Sequence, residues 1–125
     1  MRPRSERGAA AVEFALVLPL LVALLAGIAE FGRAYSIQTT LSGSAREAVR
    51  VMALKNDPAA ARAAARNAGS SLALTDAQIT VGPSCPTPAG SANAVVTVRY
   101  TMPFLSGMFG AALNLQGEGV MRCGG

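Results

Sequence analysis

A single carboxylate, Glu13, interrupts an otherwise apolar stretch near the start of the chain. Between Ala9 and Ala29 no other side chain is charged, and from Phe14 onward none can form a hydrogen bond. A carboxylate in hydrocarbon costs free energy unless it is paired, protonated or close to the interface, so such residues are usually functional. Glu13 is therefore the first candidate functional residue. The alternative is a helix-start residue in the headgroup zone, which the helix dipole stabilises.

Two cysteines, Cys85 and Cys123, are the next residues that could do chemistry. An even pair in an oxidising compartment predicts one disulfide, and two free thiols are the alternative. The bridge would close a loop of about 37 intervening residues and would stabilise the fold by roughly 3–4 kcal/mol.

Catalytic and metal-binding patterns are missing from the sequence. The chain has no histidine, which is the commonest general base and a common zinc ligand, and its 7 acidic residues are scattered. We therefore expect that the protein is not an enzyme and has no cofactor and no metal site.

The apolar stretch is long enough to cross a bilayer. Residues 9–29 number 21, and a helix needs about 20 apolar residues to span roughly 30 Å of hydrocarbon. We expect a transmembrane helix over residues 9–32 that is surrounded by the lipid bilayer and kinked at Pro19, because proline removes one backbone hydrogen bond. The alternative is an ordinary secretory signal that is cut after Ala29.

A basic leader, residues 1–8, precedes this stretch. It holds three arginines and one glutamate, so without it 8 basic residues stand against 6 acidic ones, and the net charge falls from +4 to +2. Positive charge before a membrane span keeps that end in the cytoplasm. We expect a single-pass protein of the cytoplasmic (inner) membrane with residues 33–125 outside. The basic excess is then a topology signal, and we expect no nucleic-acid partner.

The leader and the apolar stretch together carry a family resemblance. Gly8, then four residues, then Glu13 and Phe14 form a pattern that resembles the class III signal of type IV prepilins. The string GAAAVEFALVLPLL resembles the start of TadE-like proteins, which are pilin-like components of the tight-adherence (Tad or Flp, type IVb) pilus. The resemblance implies that a prepilin peptidase cuts between Gly8 and Ala9. It also implies that Glu13 docks subunits by pairing with the N-terminal amine of a neighbour.

The function implied by this resemblance is that of a minor pilin or pseudopilin in pilus assembly and surface adherence. The implied partners are a prepilin peptidase, other pilins and pseudopilins of the Tad apparatus, and the inner-membrane assembly platform. Two alternatives stay open. One is a membrane-held assembly factor that is processed but never polymerises, and the other is an anchored binding module outside the cytoplasm that is unrelated to filaments. Any pilus-incorporated copy would reach the cell surface.

The chain beyond the membrane segment first continues as helix. A three-four spacing of apolar residues predicts a helix over 33–55. Asp57 is a suitable cap for a second helix over 58–68. Arg62 and Arg66, one turn apart on that helix, are either a solvated face or a contact for an acidic partner or lipid headgroup.

Strand patterns follow at about 77–81, 94–101 and 116–123, and the best of them, AVVTVRY, places alternate valines on one face. The tail from 94 to 122 also bears a looser resemblance to the C-terminal part of TadE-like proteins. The apolar segment 102–109 either fills the core or contacts the membrane surface or a neighbouring subunit.

The predicted fold class is therefore α+β and membrane-anchored. A long N-terminal transmembrane helix continues into a pilin-like domain with a short second helix and a small antiparallel sheet.

Overall fold

A computed structural model describes residues 3–88, 90–105, 107 and 111–125, with side chains from residue 6 onward. The chain forms two compact units, Met1–Arg33 and Ala34–Gly125. Two residues of the predicted leader, Met1 and Arg2, lie outside the described residues, as do Met108 and Phe109 of the predicted apolar segment.

The first helix, α1, extends over Pro3–Lys55. It ends where the sequence predicts, but it begins earlier than Ala9 because the leader residues from Pro3 are helical as well. Proline suits a first helical turn, and Glu6 in that turn is stabilised by the helix dipole. The helix continues on both sides of Pro19, and the kink there stays a prediction.

The short second helix, α2, covers Pro58–Ala68, so that prediction is confirmed. Asp57 caps it: the carboxylate accepts hydrogen bonds from the backbone N–H groups of Ala59 and Ala60, at 3.0 and 3.2 Å. Arg66 forms an ion pair with Asp76 of the same chain. Neither sequence-based interpretation of the arginines included this intramolecular partner.

The sheet has three antiparallel strands in the order β1-β2-β3, which are Ile79–Val81, Asn93–Pro103 and Ala112–Arg122. Two short 3-10 turns precede it, Ser70–Leu72 and Asp76–Gln78. The last turn takes up residues 77–78, so β1 is shorter than predicted.

Strand β3 begins at Ala112 rather than at residue 116, which corrects the predicted boundary. The reason is pairing: β2 is eleven residues long, and β3 matches it from Asn93 opposite Arg122 to Pro103 opposite Ala112. Near the start of β3, the Thr101 hydroxyl donates a hydrogen bond of 3.0 Å to the side-chain oxygen of Asn114.

The predicted apolar segment 102–109 is divided by this hairpin. Met102, inside β2, is fully buried, and Phe104 packs against the core at its edge. Leu105, by contrast, is 71% exposed. The described part of the segment therefore contributes to the core at its start and to the surface at the turn.

The core of the second unit lies between α1, α2 and the inner face of the sheet. That inner face carries Val96 and Val98, both fully buried, which confirms the predicted alternation along β2. The buried apolar residues are Ile37, Leu41, Ala45, Ala48, Val49, Met52, Ala53, Ala61, Ala65, Leu74, Ile79, Cys85, Ala94, Val96, Val98, Met102 and Cys123.

Strand β3 lies almost directly on the backbone of α1. A β-carbon added to Gly117 would come within 2.4 Å of the carbonyl carbon of Leu41, and one added to Gly119 would come within 2.5 Å of the carbonyl oxygen of Ala45. Such distances are far below van der Waals contact. Glycine, which weakens an isolated strand, is here required by the close approach of strand and helix.

A junction at the end of α1 joins this helix to the loop at Cys85. Asn56 adopts a left-handed φ of 52°, which asparagine tolerates better than most residues. Its amide nitrogen donates to the Cys85 carbonyl at 3.2 Å, and its amide oxygen accepts from the Cys85 N–H at 2.7 Å. The Cys123 N–H donates a hydrogen bond of 2.9 Å to the Ala92 carbonyl. The Gly124 N–H donates one of the same length to the Ala53 carbonyl of α1.

Replacing Gly119 by alanine tests the helix–strand contact. We expect Gly119→Ala to lower the free energy of unfolding by about 1–3 kcal/mol, because the added methyl group overlaps the Ala45 carbonyl. Gly43→Ala is the matched control, since Gly43 lies within α1 with no neighbour within 4 Å, and it should raise stability by about 0.5–1 kcal/mol. Denaturant unfolding of the full chain in detergent measures both. If the two substitutions changed the free energy of unfolding equally, that result would contradict the close approach of β3 to α1.

Two substitutions at Asn56 separate its backbone and side-chain roles. Asn56→Gly keeps the left-handed φ but loses both hydrogen bonds to Cys85. We therefore expect the free energy of unfolding to fall by about 1–3 kcal/mol. Asn56→Ala should cost about 1 kcal/mol more, because alanine is strained at positive φ. The same unfolding measurement reports both values. A glycine variant as stable as the parent would show that the amide does not hold the junction.

Candidate functional site

The first unit presents apolar side chains on every side of α1. In the described part of this unit, all the large apolar side chains are between 43% and 76% exposed. They are Val12, Phe14, Leu16, Val17, Leu18, Leu20, Leu21, Val22, Leu24, Leu25, Ile28 and Phe31. The helix is long and apolar enough to cross a membrane, and none of its most apolar window is buried by the protein itself. Lipid or other helices must cover such a surface.

Glu13 lies on this apolar surface. Its neighbours one helical turn away are Ala9, Ala10, Leu16 and Val17, none of which can accept or donate a side-chain hydrogen bond. Within the described residues it forms no salt bridge.

Gly8 occupies open space. A β-carbon added there would meet nothing within 4 Å, and the same holds for Gly27 and Gly32 further along α1. Packing within the chain therefore gives no reason for glycine at this position. The structure places Gly8, Ala9, Glu13 and Phe14 on consecutive exposed turns of one helix, with Ala9 and Glu13 four residues apart on the same side.

A charged pair lies at the end of the first unit that sequence reasoning did not single out. A guanidinium nitrogen of Arg33 is 3.9 Å from a carboxylate oxygen of Glu30. The signal in the sequence was the spacing of opposite charges by three residues on a helix, just after the apolar stretch. The two charges mark where the apolar surface gives way to polar positions.

The cysteines of the second unit are joined. Cys85 and Cys123 form a disulfide across 38 positions of sequence with their α-carbons 5.8 Å apart, and no cysteine is free. The predicted pairing is confirmed. It ties the long loop before β2 to the end of β3, beside the Asn56 junction.

The outer face of the sheet carries a shallow groove of about 470 Å³. Polar and apolar side chains both line it, and Arg99 donates to the side-chain oxygen of Gln116 at 3.4 Å. The lining residues are Ala77, Gln78, Arg99, Tyr100, Thr101, Asn114, Leu115 and Gln116. None of these is a carboxylate or a cysteine, and in the part of the chain that the structure describes no cluster of three or more potential metal ligands is found. The groove offers hydrogen bonds but no acid–base pair.

The candidate site is therefore the exposed helical segment that runs from Gly8 through Glu13 into the apolar surface. No curated protein and no solved structure matches the chain. The family model of TadE-like proteins matches residues 8–50, about a third of the chain. Residues 8–50 are thus similar to TadE-like proteins, the same family whose resemblance the sequence carries.

Proposed function

We propose that this chain is a minor pilin or pseudopilin of a Tad-type (type IVb) pilus and that it acts in pilus assembly and surface adherence. One observation carries the proposal: the family match begins at Gly8, the residue after which the prepilin-type signal would be cut, and it includes Glu13. In this proposal the first part of α1 spans the inner membrane once, with the leader in the cytoplasm and the second unit outside.

The environment of Gly8 supports cleavage after this residue. Because nothing lies within 4 Å of its missing side chain, the fold itself would accept a larger residue there. Recognition by a peptidase that needs a minimal side chain accounts for the glycine. We propose that a prepilin peptidase cuts between Gly8 and Ala9.

The environment of Glu13 supports a role in docking. Cleavage would create an α-amine on Ala9 that is charged at neutral pH. A carboxylate and an amine that are each unpaired in hydrocarbon are costly, so a pair between neighbouring subunits favours docked helices over free ones. The exposed apolar side chains around Glu13 would then pack against other helices of the assembly. The assembly platform of the inner membrane would be the site of this docking.

Processing is tested by the mass and N-terminal sequence of the protein from native membranes. We expect the parent chain and the control Gly27→Val to begin at Ala9. Gly8→Val should keep its leader, because valine at the cut would block the peptidase. Both glycines are equally open in the structure, so the two substitutions differ in position rather than in packing.

Other N-termini would contradict the proposal in distinguishable ways. A parent chain that keeps residues 1–8 would be a plain single-pass anchor, which corresponds to the binding-module alternative. A chain that begins at Glu30 would have lost an ordinary secretory signal.

Docking is tested by Glu13→Gln, with the exposed Glu47→Gln of the second unit as the matched control. We expect Glu13→Gln to be inserted and processed normally, while its amount in sheared pili or in cross-linked pilin complexes falls by about tenfold or more, which corresponds to at least 1.4 kcal/mol. Glu47→Gln should assemble like the parent.

Undiminished assembly of Glu13→Gln would refute the docking role. A parent chain that is fully processed and bound to pilus components, yet absent from sheared pili, would instead be the membrane-held assembly factor that does not polymerise.

A further inference from the structure

The β2–β3 hairpin leaves apolar side chains exposed at one end of the second unit. Leu105, just after β2, is 71% exposed, and Leu113, near the start of β3, is 38% exposed. Phe104, the residue before Leu105, is half-buried. Phe104, Leu105 and Leu113 form the hairpin-end cluster. Water is an unfavourable environment for such a group of side chains.

The contacts between β3 and α1 show which end of the unit this is. Moving back along β3 from the chain's end, each contact falls on an earlier residue of α1. The successive partners are Gly124 with Ala53, Gly119 with Ala45, Gly117 with Leu41, and Gln116 with Gln38. The hairpin end, which precedes Gln116, is therefore at the end of the unit where Ala34 begins.

Ala34 follows the apolar stretch closely. Only five positions separate it from Ala29, a rise of about 7.5 Å along a helix. Tyr35, the next residue, is 67% exposed, and tyrosine is a residue type that favours the membrane–water interface. The hairpin end of the second unit is thus also the end at which the chain would leave the bilayer.

The hairpin is also free of charge. From Tyr100 to Gly117 the sequence contains no charged residue, although Arg99 and Glu118 stand immediately outside this range. The opposite end of the unit has Lys55, Asp57 and Arg122. Because charged side chains resist transfer toward hydrocarbon, only the hairpin end is suited to a lipid surface.

We propose that the hairpin-end cluster contacts the surface of the same bilayer that holds the first part of α1. The proposal rests on the membrane anchor of the proposed function. A second copy of the chain fits this surface less well, since a stable protein interface buries about 1,200–2,000 Å² in total and three side chains supply far less. The contact would hold the second unit against the membrane at two places, the helix and the hairpin.

The chain has no tryptophan, so single substitutions place a unique fluorophore in the full-length protein. Three variants are reconstituted in phosphatidylcholine vesicles with and without brominated acyl chains: Leu105→Trp at the hairpin, Val120→Trp as an exposed control further along β3, and Leu20→Trp within the apolar stretch. Val120 and Leu20 are 56% and 71% exposed, so no variant disturbs a packed side chain.

We expect Leu105→Trp to emit at shorter wavelength than Val120→Trp and to lose about half its intensity to brominated lipid, as for a ring about 5–10 Å into the interface. Val120→Trp should be quenched by acrylamide in water and not by brominated lipid. Leu113→Trp, the second variant of the cluster, should behave like Leu105→Trp.

Three results would overturn the inference. Leu105→Trp and Leu113→Trp that both respond like Val120→Trp would place the cluster in water. A blue shift that disappears on lipid dilution, without quenching by brominated lipid, would assign the cluster to a contact between copies. Absence of quenching at Leu20→Trp would remove the membrane anchor itself, and with it both the proposed function and this inference.

Discussion

The second unit depends on the direct contact between the backbone of α1 and strand β3. Gly117 and Gly119 permit it, since any larger residue would overlap the helix backbone at Leu41 or Ala45. Strand β2 pairs with β3 along its whole length, and β1 pairs with β2, so the position of the entire sheet on the helix follows from this one contact. The remaining space is narrow, which explains why so many of the buried residues are alanines.

The two ends of the unit are built from different interactions. At the end of α1, the amide of Asn56 holds the loop at Cys85, and the disulfide joins that loop to Cys123 at the end of β3. Hydrogen bonds and a covalent bond therefore close a polar, charged end. In the hairpin, by contrast, the sequence from Tyr100 to Gly117 contains neither a cysteine nor a charged residue, and Leu105 is exposed.

The first unit needs surroundings that cover its exposed apolar side chains. Its apolar side chains are exposed all round the helix, so its stability in place depends on lipid or on neighbouring helices. Glu13 is the one carboxylate between Ala9 and Ala29 on this exposed apolar surface, and in hydrocarbon a carboxylate is costly unless it is paired or protonated. The segment that is similar to TadE-like proteins, residues 8–50, thus includes the exposed apolar helix and continues into the disulfide-linked α+β unit that begins at Ala34.

The sequence by itself determined the features that neighbouring residues specify. These are the apolar stretch, the Asp57 cap, the alternation along β2 and the TadE-like segment. Each of them depends on residues that lie close together in the sequence. The cysteine pair was predicted too, from parity and compartment. Only the tertiary structure decided where β3 begins, why Gly119 must be glycine and which end of the unit the hairpin occupies. Those features depend on contacts between distant positions, such as Gln38 and Gln116, 78 residues apart. A local pattern shows that a glycine weakens a strand, and only the packed helix shows that nothing larger fits.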